Sequence, residues 1–555
     1  MLGRIIINPS DQKQMQFNSR RSPVIGKRGM VATSQPLAVA AGLEILAQGG
    51  NATDAAVATA AALNVTEPTS TGIGGDCFAL YFNAADRRVS ALNGSGRAPA
   101  QLTLDRLERE GIQGELPPFH PYTITVPGAC AGWCDLVERF GRLDISQVLA
   151  PAIRLAEEGF PVAPITAHFW TRGVDRQLRN TPGGFELTID GRAPLPGEIF
   201  RNPGLGRTLR AVAEGGKTAF YQGEIAESIA EVVNQSGGCL SAEDLAAHNS
   251  SWQAPISTTY HDLRIWECPP NGQGLTALLA LNILEGFDLA DIPPLSTRRL
   301  HLEIEALRLA FADTRWFVAD PDFNPAPLDA LLSKEYANER RQLIDPSRAT
   351  LDQQRGSPTS SSDTVYLSVV DGNGNACSFI NSNYMGFGTG IVPPGWGFTL
   401  QNRGHNFSLD SGHPNALAPG KRPYHTIIPA LATTSEPKGS EELYASFGVM
   451  GGFMQPQGHL QVVVNMVADG LNPQEALDQL RFCITGGEAA GDIALEEGID
   501  PEVIAELGAM GHPVNAISGH SRALFGRGQI IRRVHQTGVL WGGSDPRADG
   551  CAMSL

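Results

Sequence analysis

The chain has 555 residues, 42 % of them hydrophobic and 18 % charged, which allows a sizeable core and excludes wholesale disorder. Its 58 acidic and 42 basic side chains give a formal charge of −16, a balance that argues against nucleic acid or anionic lipid as a main partner. The 62 glycines and 38 prolines exceed their usual combined share of about 12 % and call for many tight turns and close backbone approaches.

No apolar run reaches the 18 or so residues of a membrane span. The short cluster Ile5–Ile7 is followed by polar residues, so a signal-peptide core is not expected. The eight cysteines are scattered without a CxxC pair, which suggests neither a disulfide framework nor a zinc knuckle. Cytoplasmic residence, with no membrane partner, is the resulting expectation.

In chain order, residues 1–28 read as a loose, partly basic arm. Ser34 and Pro36 predict a helix start, with Leu37, Ala41 and Ile45 on one face and Gly49-Gly50 as its stop. A second, alanine-rich helix is predicted from about Thr53 to near Pro68. The glycine turn Thr69–Asp76 leads to a strand at Cys77–Phe82, and a second strand at Val89–Leu92 runs into Asn93–Pro99. Neither phosphate-loop nor dinucleotide glycine spacing occurs, and Ser95 fails the nucleophile-elbow pattern because Asn93 holds the first glycine position.

Residues 100–345 read mainly as helices, among them Ile145–Glu158, Glu224–Asn234, Leu275–Leu284 and Thr297–Asp313. No HExxH occurs, and the twelve histidines show no metal-ligand spacing on a common face. His405, His413 and His425 are neighbours in sequence but read as hydrogen-bonded loop residues. The polar stretch Arg355–Ser362 predicts an exposed loop, followed abruptly by period-two alternation from Thr364 to Val370, a turn at Asp371–Asn375 and a return strand at Ala376–Ile380. A helix capped by Asn472-Pro473 and a final strand and turn at Val539–Arg547 follow.

Thr364 alone is an ordinary strand residue. Its chemistry changes if the chain is cut before it, because the freed α-amine could then take the proton of its own hydroxyl. A polar loop joined to a rigid strand suits such a cut.

Asp363-Thr364 with the strand TVYLSVVDGNGNA resembles the small-subunit start of the γ-glutamyltransferases, Ntn hydrolases that cleave themselves before a threonine. Residues 30–82 are similar to the family's large-subunit opening. Gly386–Ile391, Asn402–Ser408, Lys421–Pro429, Met450–Gly452 and Gly543–Arg547 match in order. The resemblance runs from about residue 29 to the end and is weakest in the helical middle.

It implies an α+β fold, a four-layer αββα sandwich, made as a precursor divided between Asp363 and Thr364 into residues 29–363 and 364–555 of one globular unit. It implies Thr364 as nucleophile, with Ser382 in place of a threonine that hydrogen-bonds its amine. Gly451 and Gly452 fall at the oxyanion-hole position, where bare backbone N–H groups make chemical sense; by themselves they also read as a plain turn. No cofactor and no metal are implied; the partners are a small-molecule amide and the chain's own two fragments.

The substrate residues by resemblance are Ser95, Arg97, Tyr384, Asn402, Arg403, Asn406, His425 and Thr426, and they depart from the family pattern. Ser95 stands where an arginine usually holds the substrate's α-carboxylate. Arg97, two positions on and on the same strand face, either replaces it or is a solvated charge. Arg403 replaces a glutamine, Asn406 the acid that binds the ammonium group, and His425-Thr426 a serine pair. Arg403 either binds a substrate carboxylate or pairs with a local acid such as Asp410. Losing an acid and gaining a cation weakens recognition of a zwitterion and favours an acyl group that carries only a carboxylate. The expected activity is hydrolysis of a γ-glutamyl or related carboxylate-bearing amide. The alternatives are an oxamate or glutaryl-type amidohydrolase and an unprocessed, inactive binding scaffold.

Overall fold

A computed structural model describes residues 21–351, 364–435 and 441–555. Asp363 and Arg355–Ser362 lie outside the described residues.

Alanine and glycine set the first layer. Helix α1 (Pro36–Ala47) and helix α2 (Ala52–Thr66) pack so closely that a methyl group on Gly42 would lie 2.3 Å from Thr59 Oγ1. Every residue of α2 is buried, and Asn51 and Asp54 close its start with a reciprocal capping box. Three further helices carry the argument below: α3 (Pro164–Gly173), α4 (Gly274–Leu284) and α5 (Thr297–Phe317). The last is α6 (Met454–Val467).

Fourteen strands build two antiparallel sheets. Those before residue 364 are β1 (Val24–Gly26), β2 (Gly29–Thr33), β3 (Asp76–Asn83), β4 (Arg88–Gly94), β5 (Ser251–Gln253), β6 (Ile256–Tyr260) and β7 (Leu263–Glu267). Those after it are β8 (Val365–Asp371), β9 (Ala376–Ser382), β10 (Ala430–Ser435), β11 (Glu441–Met450), β12 (Arg527–Val534), β13 (Val539–Ser544) and β14 (Cys551–Ser554). One sheet runs β14-β2-β8-β9-β3-β4-β5, the other β1-β13-β12-β11-β10-β7-β6.

The period-two pattern of β8 resolves into two buried faces. Val365, Leu367 and Val369 join α1 and α2 in one apolar cluster. Tyr366 and Val370 join Ile427, Leu431, Leu443 and Ile531 in the layer between the sheets. The sheets meet closely: Gly448 lies under the Tyr366 ring, where a Cβ would be 2.6 Å from Cε2, and Ser368 donates to Ser446 Oγ across the gap at 2.7 Å. On the far face, Ala430, Ala432, Phe447 and Ile530 pack on α4, α5 and α6. Helix, sheet, sheet, helix is thus the order of layers, as the resemblance implies.

Two details go beyond the sequence expectations. The middle third is mainly helical, as expected, but β5, β6 and β7 also lie within it and supply sheet edges. The β6–β7 turn uses His261 at φ +50, without the glycine that usually betrays a hairpin. Within the predicted arm, β1 is paired with β13 in the register Val24↔Gly542. Among the described residues, no helix is long and apolar enough to cross a membrane.

Candidate active site

Antiparallel pairing of β8 with β9, with Val365 opposite Asn381, sets the first contact of the site. It brings Thr364 opposite Ser382, and their hydroxyl oxygens lie 3.1 Å apart, both fully buried. Ser382 Oγ also accepts the N–H of Tyr384 at 2.9 Å. Tyr384 takes φ +80, a conformation that costs a non-glycine residue and concentrates at functional sites.

From Tyr384 a polar cluster extends through the segment Gln401–Asn406. The Tyr384 hydroxyl donates to Asn406 Oδ1 at 2.6 Å, and Asn402 Oδ1 accepts the N–H of Met385 at 3.1 Å. Arg403 is wholly buried. Its Nη1 donates to Thr426 Oγ1 at 2.7 Å, and its guanidinium carbon lies 4.4 Å from the centre of the Tyr384 ring. Its Nε and Nη2 have no acceptor among the described residues. Burial lowers its affinity for the proton to a pKa of about 10, with Asp76 acting in the opposite sense; at neutral pH it remains a cation.

Asp76 is the counter-charge. Its Oδ1 accepts from the N–H groups of Gly96 and Gly128 and from Gln401 Nε2, at 2.9, 3.1 and 2.9 Å. Its Oδ2 lies 2.9 Å from His425 Nε2. Burial, though it opposes ionisation, is outweighed by the hydrogen bonds from His425 and Gln401 and by the Arg403 cation, which hold the carboxyl below its ordinary range. Burial first and Arg403 second push His425 down to about 4, so its ring is neutral and donates to Asp76.

Gly451 and Gly452 follow β11 with φ +137 and +57. Among the described residues, neither N–H has a hydrogen-bond acceptor, whereas both carbonyls are engaged, that of Gly451 by Met454 and that of Gly452 by Gln455 and Gln273. Gly451 lines a cleft of about 620 Å³ together with Met385, His405 and residues of α3.

The sequence-predicted residues are therefore divided. Thr364, Ser382, Tyr384, Asn402, Arg403, Asn406 and Thr426 form one connected cluster, with His425 reaching Asp76 beside it. Ser95 is buried but turned elsewhere, its Oγ accepting from Asn271 at 3.1 Å. Arg97, read as either a replacement for the missing arginine or a solvated charge, is already partnered. Its guanidinium is held by Asp320 at 3.2 Å, Asp322 at 3.0 Å and the Gly420 carbonyl at 3.0 Å. Asp410 does not pair with Arg403; its carboxylate accepts the N–H of Gly412. Asp76 and Gln401 went unrecognised in the sequence, because an acid at a strand start ordinarily reads as a solvated end.

The histidine spacing also needs correction. His301 and Glu305 sit one turn apart on α5 and meet His512, with all three possible ligand atoms within 4.8 Å. His301 Nδ1 is 2.8 Å from His512 Nε2, a hydrogen bond, and Glu305 lies 3.4 Å from Arg308 Nε. Glu305 Oε1 and His512 Nδ1 have no hydrogen-bond partner among the described residues, and the adjacent Arg308 guanidinium opposes a metal cation.

The gamma-glutamyltranspeptidase family pattern matches residues 38–555. The glutathione hydrolase-like YwrD proenzyme of Bacillus subtilis is 37 % identical, over 96 % of this chain and 99 % of its own length. The oxamate amidohydrolase proenzyme of Klebsiella pneumoniae is 35 % identical, over 95 % and 98 %. In three dimensions the chain is similar to the cephalosporin acylase from Bacillus halodurans, with a TM-score of 0.90, 47 % identity and 97 % of each chain covered. A family pattern spanning almost the whole sequence, on two stacked antiparallel sheets between helices, means that the chain belongs to the gamma-glutamyltranspeptidase family and is an enzyme of the Ntn-hydrolase class.

Proposed function

We propose that the protein cuts itself before Thr364 and then hydrolyses an amide whose acyl part ends in a carboxylate, of the glutaryl rather than the γ-glutamyl kind. The observation that carries this reading is Arg403, a buried cation in the cluster that contains Thr364, with two guanidinium nitrogens, Nε and Nη2, that have no acceptor among the described residues. Such a group demands an anionic partner, and a substrate carboxylate supplies one.

In the reaction, Thr364 Oγ1 adds to the substrate carbonyl while its proton passes to the freed α-amine. The N–H groups of Gly451 and Gly452 donate to the oxyanion. Collapse breaks the C–N bond, and the amine returns the proton to the leaving nitrogen. Water then hydrolyses the ester and the threonine hydroxyl is restored.

Discrimination against a γ-glutamyl group rests on Asn406. Its Oδ1 is occupied by the Tyr384 hydroxyl, so a substrate ammonium would meet no carboxylate there. The curated relatives include both a glutathione hydrolase-like protein and an oxamate amidohydrolase. A cleft of about 620 Å³ offers far more room than oxamate needs, which supports a substrate with a sizeable leaving amine.

The test joins denaturing intact-mass analysis to a substrate panel. A fragment of about 20 kDa beginning at Thr364, absent from Thr364→Ala together with all turnover, is expected. So is a higher kcat/KM for glutaryl than for γ-glutamyl anilide. Preference for the γ-glutamyl compound would reverse the assignment of the acyl group, and turnover of oxamate alone would replace it. An uncut, inactive wild-type chain would favour the binding scaffold.

A further inference from the structure

Arg403 is wholly buried and does not line the cleft, whereas Gly451 does; with the acyl carboxylate on Arg403 and the carbonyl at Gly451, the cleft is left to the amine side of a bound amide. One wall of it is basic. Arg172 and Arg176 both line the cleft, one helical turn apart on the same face. Both are exposed, and neither has an ion-pair partner among the described residues. The neighbouring Arg179, by contrast, is paired with Asp175 at 2.5 Å.

The wall is built rather than loose. Helix α3 passes into a π-turn over Val174–Leu178, closed by the N–H of Arg179 on the Val174 carbonyl at 3.0 Å, a local unwinding frequent at functional sites. Gln177 Nε2 donates to the carbonyls of Met385 and Gly388 at 2.7 and 2.6 Å. Gly173 lies so near Phe387 that a Cβ would be 2.4 Å from its ring. The two arginines are thus fixed relative to the loop that follows Tyr384. Glu115 is the acid that lines the same cleft, so the charged residues there leave an excess of positive charge in a protein whose total is −16.

We infer that Arg172 and Arg176 select amides whose leaving amine itself carries a carboxylate, so that the preferred substrate is anionic at both ends. This rests on the amidohydrolase reading above. Both guanidiniums are solvated, so the attraction is modest and sensitive to salt.

The test compares glutaryl-4-nitroanilide with glutaryl-3-carboxy-4-nitroanilide, which share the acyl part and differ by one carboxylate on the amine side. In wild type at low salt, kcat/KM for the carboxylated compound is expected to exceed that for the plain one by about fivefold. The ratio should fall towards one in Arg172→Gln/Arg176→Gln, survive in Arg172→Lys/Arg176→Lys and in the Arg179→Gln control, and shrink as salt is raised. A wild-type ratio near one, or a ratio unchanged in the double glutamine variant, would overturn the inference. If neither anilide is hydrolysed, the amidohydrolase reading fails by itself. Equilibrium binding of the two amines, 5-amino-2-nitrobenzoate and 4-nitroaniline, to wild type and the glutamine variant then decides. Preferential binding of the benzoate that is lost in the variant supports the basic wall, and equal binding sinks it.

Discussion

Arg403 is the residue in which cost and use are most closely joined. A buried guanidinium whose Nε and Nη2 have no acceptor among the described residues carries a desolvation cost, and a carboxylate that accepts from both nitrogens removes the penalty. Arg403→Gln is therefore expected to keep its Thr364 fragment and to raise KM for glutaryl anilide by about 10- to 100-fold, the range of hydrogen bonds to a charged group. A KM unchanged by the substitution, measured in steady-state assays, would move carboxylate recognition elsewhere. The replacements at Arg403, Asn406 and His425 are visible in the sequence as departures from a pattern. Their meaning is not, because Asp76, which balances the cation, is remote in the chain and meets His425 only when β3 is in its sheet.

Among the elements, those with strong local signals match their sequence expectations. Ile145–Glu158 forms a helix with the predicted bounds, since Asp144 and Gln147 cap it and its apolar residues fall on one face. The β8–β9 pair follows from alternation and the DGNGN turn. β6 and β7 escape because their turn lacks glycine and their polar faces are half-buried. The π-turn after α3 is equally silent in sequence, as it depends on Gln177 reaching two carbonyls of a distant loop. Gln177→Ala removes both bonds and the one its Oε1 accepts from the Phe387 N–H, and it leaves that N–H and the buried Gly388 carbonyl without these partners. A stability loss of about 2–3 kcal/mol, read by urea unfolding, is the expected result, together with weaker discrimination between the two anilides. Unchanged stability would mean that the loop holds itself.

For the whole molecule, burial of polar groups sets the response to acid. His248 and His425 are buried, and burial lowers both to about 4. An unfolded chain takes up these protons near pH 6.5, whereas the folded protein resists until about pH 4. The stability they contribute is complete above pH 6.5 and is lost as pH falls towards 4. By pH 5 each accounts for about 2 kcal/mol, and His248→Phe is expected to flatten the decline between pH 7 and 5 by that amount. An identical slope in wild type and variant, by chemical unfolding at the two pH values, would assign the acid response to other groups. The layer order leads to a different consequence. β8 lies between β2 and β9, and β9 between β8 and β3. A break before Thr364 would therefore put the new amine at the head of a strand held by β9 from Val365 and by β2 from Leu367, one neighbour from each fragment. Pulling such fragments apart would mean unzipping the middle of a sheet, because β2 and β8 are neighbours there from Leu367 to Asp371.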